Sequence, residues 1–150
     1  MVKLEFIKNN VVIELVNAQG KIVYMQFPQR VVSDSLLAFV EVDILRRLWS
    51  RNQWDKRSHY ANACEDVLRQ DYKFHYAEEG FSHGKCNPVP VARIGILYFE
   101  DLPYVGFSNG ITRTIWLIAN DFKIIPFEVL NATREFMCMK GVYNLAHLRK

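Results

Sequence analysis

The N-terminal segment constrains the fold most, because it holds three short apolar stretches separated by two polar turns. Residues 2–7 (VKLEFI) alternate roughly with a period of two, and residues 11–16 (VVIELV) are rich in β-branched side chains. Residues 21–27 (KIVYMQF) are similar, and Pro28 ends them. Short segments of this kind, joined by Asn- and Gly-containing turns, are typical of strands. The pattern predicts an antiparallel β meander.

The size and composition of the chain favour one folded domain. Its 150 residues are 50% hydrophobic and 23% charged, which is an ordinary balance for a globular protein and excludes a disordered one. We predict a single α+β domain over residues 1–150. It consists of a β meander at 1–35, a core at 36–130, and a C-terminal helix and tail at 131–150.

Helical spacing begins in the middle of the chain. Residues 36–42 fit either a strand or a helix, and Asp43 is a suitable N-cap for a helix that carries Leu45, Leu48 and Trp49. A second helix is predicted from about Ser58 to Gln70. Its buried face would hold Tyr60, Cys64, Val67 and Leu68.

Glycines and prolines divide the second half of the chain. Residues 77–90 contain two of each, which predicts a long surface loop. Turns are expected at 100–103 and at Asn109-Gly110. Between and after them the sequence predicts strands at 91–99, 104–108 and 123–130 and a helix at 112–119.

The overall charge disfavours a dedicated nucleic-acid binder, but one region is locally basic. The net charge is only +3. The basic cluster consists of Arg46, Arg47, Arg51, Lys56 and Arg57, with Trp49 and Trp54 between them. It fits a site for an acidic partner or a nucleic-acid backbone. It fits equally the solvated face of two consecutive helices whose tryptophans enter the core.

Exposed aromatic side chains and arginines are favoured anchors in protein interfaces, and acidic pairs in loops add a second kind of contact. The candidate partner-binding residues are therefore Trp49, Arg51, Trp54, Arg57, Glu78 and Glu79.

The cysteines and the termini point to a reduced, intracellular protein without a cofactor. The three cysteines are widely spaced and form no C-x-x-C pair, which disfavours a zinc site. His75, His83 and Cys86 lie close in sequence but lack a fourth ligand. The N-terminus has no signal-peptide core, and no apolar stretch is long enough to span a bilayer. We expect a cytoplasmic protein that does not insert into membranes.

One stretch carries a candidate ligand site. In GFSNGITRTIWL, the turn Asn109-Gly110 precedes Thr112, Arg113 and Thr114 at the start of a predicted helix. Helix N-termini favour anions, and the arginine and the hydroxyls would add donors. The alternative is an ordinary helix start, in which Thr112 or Asn109 is the N-cap and Arg113 faces solvent or pairs with a carboxylate. At the other end of this helix, Asn120 is expected to adopt a positive φ.

These residues resemble a known family. The sequence GITRTIWL at 110–117 matches the turn and helix G-[IV]-T-R-T-x-W-L of the plasmid fertility inhibition factor family. NPVPVAR at 87–93 resembles its N-P-V-P-x-A-R strand entry, and Val42-Asp43 its Val-Asp segment. IPFEV at 125–129 resembles the following strand of the wider ParB/sulfiredoxin-like superfamily. The resemblance covers about residues 38–130.

The resemblance implies a ParB/sulfiredoxin-like core and a function. Such proteins are carried by one plasmid and block the conjugative transfer of another in the bacterial donor cell. The implied partner is the type IV coupling protein, the ATPase that delivers plasmid DNA to the secretion channel. The protein would then be a binding inhibitor and not an enzyme. Asn109 stands where sulfiredoxins have a catalytic cysteine, which excludes that chemistry.

The same superfamily implies an alternative function. ParB-type proteins bind nucleotides at the arginine turn, although Thr112 replaces their preceding His or Arg. A nucleotide-binding or DNA-cleaving protein would use Arg113 together with carboxylates, for which Glu100, Asp101 and Glu128 are the candidates. A third interpretation is DNA binding by the basic cluster, with a steep salt dependence.

Overall fold

A computed structural model describes residues 2–28 and 35–144 of the chain. Its ordered elements form two β-sheets with helices packed around them. In chain order they are β1 (Val2–Ile7), β2 (Asn10–Val16), β3 (Ile22–Pro28), β4 (Leu36–Glu41), α1 (Val42–Ser50), a 3-10 helix (Ser58–Asn62), α2 (Glu65–Arg69), α3 (Phe74–Ser82), a 3-10 turn (Gly84–Cys86), β5 (Val89–Pro90), β6 (Ala92–Phe99), β7 (Leu102–Asn109), α4 (Ile111–Ala119), β8 (Ile124–Leu130), α5 (Arg134–Met137) and β9 (Val142–Asn144).

The first sheet contains the predicted meander, which is confirmed. Its strand order is β1-β2-β3-β5, with antiparallel pairing among the first three strands. Alternation places Val11, Ile13 and Leu15 on one buried face. The short β5 pairs in parallel with β3 and so joins the meander to the second sheet through the backbone.

The second sheet is mixed and has the order β7-β6-β8-β4-β9. The ambiguous segment at 36–42 forms the strand β4 up to Glu41, and β4 pairs antiparallel with both β8 and β9. β6 pairs in parallel with β8 and antiparallel with β7. The predicted α+β class is confirmed.

Aromatic side chains hold α1 on this sheet. Trp49 lies edge-on to Phe107 of β7 at 5.0 Å between ring centroids, and Phe107 lies edge-on to Phe127 of β8 at 6.2 Å. Trp49 and Phe127 are fully buried. Burial of large aromatic side chains contributes about 2–3 kcal/mol each, so this column is a major part of the core.

The helix predicted at 58–70 is wrong, because the chain is extended at Ala63 and Cys64 and separates the 3-10 helix from α2. The cause lies in Arg46, whose guanidinium donates to the carbonyls of Ala61, at 2.7 Å, and Ala63. A side chain therefore takes acceptors that a continuous helix would use internally. Leu68 is buried as predicted, whereas Cys64 is exposed.

The surface loop predicted at 77–90 is also wrong over most of its length. Residues up to Ser82 belong to α3, whose Ala77 and Phe81 are buried. Phe81 stacks on Trp116 of α4 at 4.3 Å between centroids. Packing of this face outweighs the low helix propensity of Gly80, which costs only about 1 kcal/mol relative to Ala.

Several predicted helix ends are shifted. α1 begins at Val42, so Asp43 lies in the first turn and is not the N-cap. α4 begins at Ile111 after Gly110, so neither Asn109 nor Thr112 is its N-cap. The positive φ expected at Asn120 occurs at Asp121.

The predicted C-terminal helix is a single turn within the described residues. α5 spans four residues, and the Thr133 hydroxyl caps it by accepting from the Phe136 amide at 3.2 Å. The chain then forms β9, which the sequence did not indicate. The predicted tail at 145–150 lies outside the described residues.

Candidate functional site

The turn before α4 is shaped by a contact that only glycine permits. Gly110 has φ 87°, in the left-handed region. A Cβ at this position would lie 2.4 Å from the Ala92 Cβ and 2.8 Å from the Ala92 Cα. The start of α4 therefore presses directly on the first residue of β6.

The polar groups of this turn are used within the protein. The Asn109 Oδ1 accepts from the Arg93 amide at 2.9 Å. Thr114 is fully buried, and its Oγ1 donates to the Gly110 carbonyl at 2.9 Å. Both side chains thus stabilise the turn itself.

Arg113 joins the two segments that carry the family resemblance. Its Nη1 donates to the Pro90 carbonyl at 2.9 Å and is 3.3 Å from the Val91 carbonyl. Burial lowers the pKa of the Arg113 guanidinium from its ordinary value. The charge therefore faces backbone oxygens of the β5–β6 entry, and the expectation that this side chain faces solvent is wrong.

A groove of about 340 Å³ opens at this end of α4. Arg57, Lys73 and Thr112 line it. Arg57 forms a 2.6 Å ion pair with Asp71, whose side chain is only 1% exposed, and the Thr112 hydroxyl lies 3.3 Å from Arg57 Nη2. Asp71 neutralises much of the positive charge that Arg57 brings, and Lys73 and Arg113 are the other cations that line the groove.

The buried Asp71 was not predicted from the sequence. An isolated aspartate between polar residues gives no sign of burial, since Asp is almost never fully buried unless it is paired. Its ion pair with Arg57 and its contact with Thr112 at 3.5 Å depend on three separate elements. The carboxylate also affects Tyr60, whose pKa is raised by burial first and by the Asp71 charge second.

The carboxylates proposed for catalysis are not gathered at this turn. Glu100 and Asp101 form the hairpin turn between β6 and β7, whereas Asn109 pairs with Arg93 at the other end of the same hairpin. Strands of this length separate their ends by roughly 20 Å. Glu128 is buried and accepts from Arg93 and Ser35. The candidates Glu100 and Asp101 therefore lie at the end of the hairpin away from the Arg113 turn, and the expectation that they act together with Arg113 is wrong.

The candidate partner-binding residues occupy very different environments. Trp49 is fully buried, with its Nε1 donating to Asp55 at 3.0 Å, so it offers no surface to a partner. Glu78 accepts from the Trp116 indole, and Glu79 is exposed on the same helix. Arg57 is held by its ion pair.

Trp54 is the exposed tryptophan of this set. It is 58% exposed and contacts Phe99 at 5.2 Å and Tyr104 at 5.4 Å between ring centroids. The strands place further apolar side chains beside it, since Leu97 is opposite Tyr104 and Phe99 is opposite Leu102. We define the hairpin patch as Trp54, Leu97, Phe99, Leu102 and Tyr104. The alternation of β6 indicates that Leu97 and Phe99 share one face of the sheet. Trp54 lies beside them only because of the tertiary structure, which the sequence pattern does not predict.

A larger cavity, of about 1090 Å³, lies beside the C-terminal end of α4. Its apolar lining includes Val42, Leu68 and Phe122. The charged lining residues are equal in number for each sign: Lys21, Arg46, Arg69 and Lys123 against Glu41, Asp43, Glu65 and Asp121. Such a balanced cavity favours no charged class of ligand.

Over 2–28 and 35–144, no group of three or more His, Cys, Asp or Glu side chains is arranged to hold a metal ion. In the same ranges, none of the helices has the length and apolar character that a membrane span requires.

Comparison with known proteins adds two matches. The profile of the family described as Plasmid Fertility inhibition factor matches residues 38–137. The chain is also similar in structure to the Oncogenic Suppression Activity Protein, described as a plasmid fertility inhibition factor and solved as a gold(I) cyanide derivative. That match has a TM-score of 0.78 at 19% identity and covers 99% of this chain and 81% of the other. No curated protein matches the chain.

Proposed function

The chain belongs to the plasmid fertility inhibition factor family, and from this premise we propose that it blocks the conjugative transfer of a co-resident plasmid. In this proposal the protein acts in the donor-cell cytoplasm and binds a component of the transfer machinery. The type IV coupling protein is the proposed partner, because a soluble inhibitor can reach the cytoplasmic ATPase that receives the DNA.

The observation that supports the proposal is the family match over residues 38–137. This range includes most of β4, the strands β6, β7 and β8, and the turn at Gly110. The contacts of Arg113 with Pro90 and Val91 link the two family-like segments into one structural unit. The matched region is thus a folded core that can present a binding surface.

Binding and not catalysis is the proposed mode of action. The hairpin patch exposes large apolar side chains of the kind that anchor protein interfaces. The turn at Gly110, by contrast, directs Arg113 to the protein's own carbonyls. Inhibition by occupying a partner needs surface complementarity and no reacting groups.

A mating assay tests this function. Donor cells expressing the protein and carrying a mobilisable plasmid should yield fewer transconjugants, by at least about tenfold, than donors with the empty vector. The purified protein should also bind the purified cytoplasmic domain of that plasmid's coupling protein in calorimetry. Arg69→Ala, which removes an exposed ion pair with Glu65, is the matched control and should behave as wild type.

Two results would contradict parts of the proposal. Unchanged transconjugant counts across plasmids of several transfer types would contradict fertility inhibition itself. Inhibition without any binding to the coupling protein would keep the function and exclude that partner.

A second candidate function is anion or nucleotide binding in the groove at the start of α4. The observation in its favour is that Lys73 and Arg57 line the groove beside the α4 N-terminus, where the helix dipole favours an anion. Calorimetric titration with ATP should then show saturable binding that Lys73→Ala removes and Lys123→Ala preserves. No heat of binding at millimolar ATP would exclude this function.

A further inference from the structure

The segment after α1 crosses the outer edge of β7 and occupies its hydrogen-bonding groups. Arg51 Nη1 donates to the Pro103 carbonyl at 3.1 Å, and Asn52 Nδ2 donates to the Val105 carbonyl at 3.1 Å. An edge strand normally invites another strand to pair with it. Here two acceptors are already used, so a partner must contact side chains on the face of the sheet.

Crossing the edge also places two tryptophans on opposite faces of the sheet. Trp49 packs against Phe107. Trp54 contacts Tyr104 and Phe99, and the alternation of β7 points Tyr104 away from the face that Phe107 occupies. The hairpin patch therefore lies on the face opposite the Trp49 column.

The patch is both exposed and apolar. Leu97, Phe99, Leu102 and Trp54 are 42%, 46%, 56% and 58% exposed. Leu97 extends over Gly106, where a Cβ would lie 3.1 Å from the Leu97 Cδ1. Contiguous apolar surface of this kind is typical of protein-binding sites and differs from singly scattered exposed side chains.

The turn at the end of the patch is unfavourable for the residues it contains. Glu100 and Asp101 both have positive φ, 50° and 65°. A two-residue hairpin turn of this conformation prefers Asn-Gly, since residues with a larger side chain are strained there. Glu100 does not favour this turn, yet the chain places two carboxylates in sequence between Phe99 and Leu102, which pair with each other at the end of the hairpin.

We propose that the hairpin patch binds a partner protein that presents a lysine or arginine next to apolar side chains. The apolar residues would pack on Trp54, Leu97 and Phe99, and the cation would pair with Glu100 and Asp101. The charge of the turn favours this occupant, because Glu100 and Asp101 follow Phe99 directly, whereas the guanidinium of the nearby Arg51 already donates to the Pro103 carbonyl. That the partner belongs to the transfer machinery rests on the proposed function.

The decisive variant separates stability from binding. Glu100→Asn with Asp101→Gly gives the preferred turn sequence and removes both charges. Its Tm should rise by about 2–6 °C, because the strain is relieved. Its inhibition of conjugation should nevertheless fall by at least about tenfold. Trp54→Ser should lose inhibition to a similar extent.

The control is Tyr72→Ser, which removes an exposed aromatic side chain, 71% exposed, outside the patch. It should inhibit as wild type does. If wild type inhibits and the turn variant and Trp54→Ser inhibit equally well, the patch is not the binding surface and the inference is overturned, while the proposed function stands.

Two peptide probes decide the inference independently of conjugation. One alternates Leu and Phe with Lys, and the other has Glu in place of every Lys. Each peptide carries a fluorescein label, and its fluorescence anisotropy reports binding to wild type and to Trp54→Ser alike. Binding of the Lys peptide at least about tenfold tighter than the Glu peptide, lost in Trp54→Ser, supports the inference. Equal or absent binding overturns it.

Sedimentation velocity tests the remaining occupant. We expect the wild-type protein and the Trp54→Ser variant to have the same sedimentation coefficient. A wild-type dimer that this substitution dissociates would show that a second copy covers the patch, and it would overturn the inference.

Discussion

The turn at Gly110 and the hairpin patch differ in how much of their chemistry the protein uses itself. At the turn, Asn109, Arg113 and Thr114 all bond to the chain's own backbone. In the patch, Trp54 and its neighbours stay about half exposed. The two regions lie at opposite ends of the same β-hairpin. The polar groups of the turn are bonded within the protein, whereas the apolar side chains of the patch are exposed to solvent.

This difference separates a recognisable motif from the surface that we propose for binding. The residues of GITRTIWL are distinctive because a left-handed glycine, a buried threonine and an inward-facing arginine must fit around one contact. Such requirements are specific to a fold. A docking surface needs only apolar side chains and charge in the right places, and many sequences meet that condition. A motif can therefore identify a family through residues that do not contact a partner.

The largest expected effect concerns Gly110. Gly110→Ala should lower the free energy of unfolding by about 4 kcal/mol, since the new Cβ would overlap Ala92 and the residue would be strained at positive φ. Gly20→Ala is the matched control, because Gly20 has φ 83° but nothing within 4 Å. Its cost should be about 1 kcal/mol in chemical denaturation. Equal losses for the two variants would mean that the Ala92 contact is unimportant.

The next effect concerns the buried carboxylate behind the groove. Arg57→Ala should lower the free energy of unfolding by about 3 kcal/mol, because it leaves the Asp71 charge buried without its ion pair. Lys85→Ala removes a pair with Glu5 whose side chains are 53% and 51% exposed, and it should leave the free energy of unfolding almost unchanged. Urea unfolding measures both. A similar small cost for each would indicate that Asp71 is solvated.

Arg113 tests most directly whether the turn at Gly110 has a structural role and no role in binding. Arg113→Ala should lower the free energy of unfolding by about 2 kcal/mol, because the Pro90 and Val91 carbonyls lose a charged donor. At a temperature where the variant is fully folded by circular dichroism, it should inhibit conjugation as wild type does. Lost inhibition in the folded variant would make the turn a working site and reverse the comparison.

The smallest stability effect is expected in the patch. Trp54→Ser should lower the free energy of unfolding by only about 1 kcal/mol, since the side chain is 58% exposed and its contacts are edge-on or tilted. Thermal unfolding measured beside wild type checks this value. A loss near that of Gly110→Ala would show that Trp54 is a core residue and that the two regions are alike.

The sequence predicted the parts of the fold that depend on local pattern. The meander was evident because β2 repeats β-branched residues between two turns, and β8 was evident as an apolar strand containing Pro126. α4 was placed to within one residue because Gly110 precedes an apolar run. These elements need no distant partner to be recognised.

The failures depend on distant contacts. The break between the 3-10 helix and α2 follows from Arg46, which is 15 and 17 residues away from the carbonyls it occupies. α3 contains Gly80, and it is stabilised by stacking of Phe81 on Trp116. The patch needs Trp54 beside residues more than 40 positions later. Periodicity and turn residues carry no information about such contacts.

The position of β4 has a consequence for how the chain acquires its structure. β4 pairs only with β8 and β9 in its sheet, so Phe39 meets Pro126 and Tyr143, which follow it by about 90–100 residues. On a ribosome, the apolar strand at 36–41 must wait until these segments emerge. Long-range pairing of this kind slows folding and leaves an intermediate that is prone to aggregation, because its apolar strand is exposed. Newly made chains should therefore depend on chaperones before they are able to bind any partner.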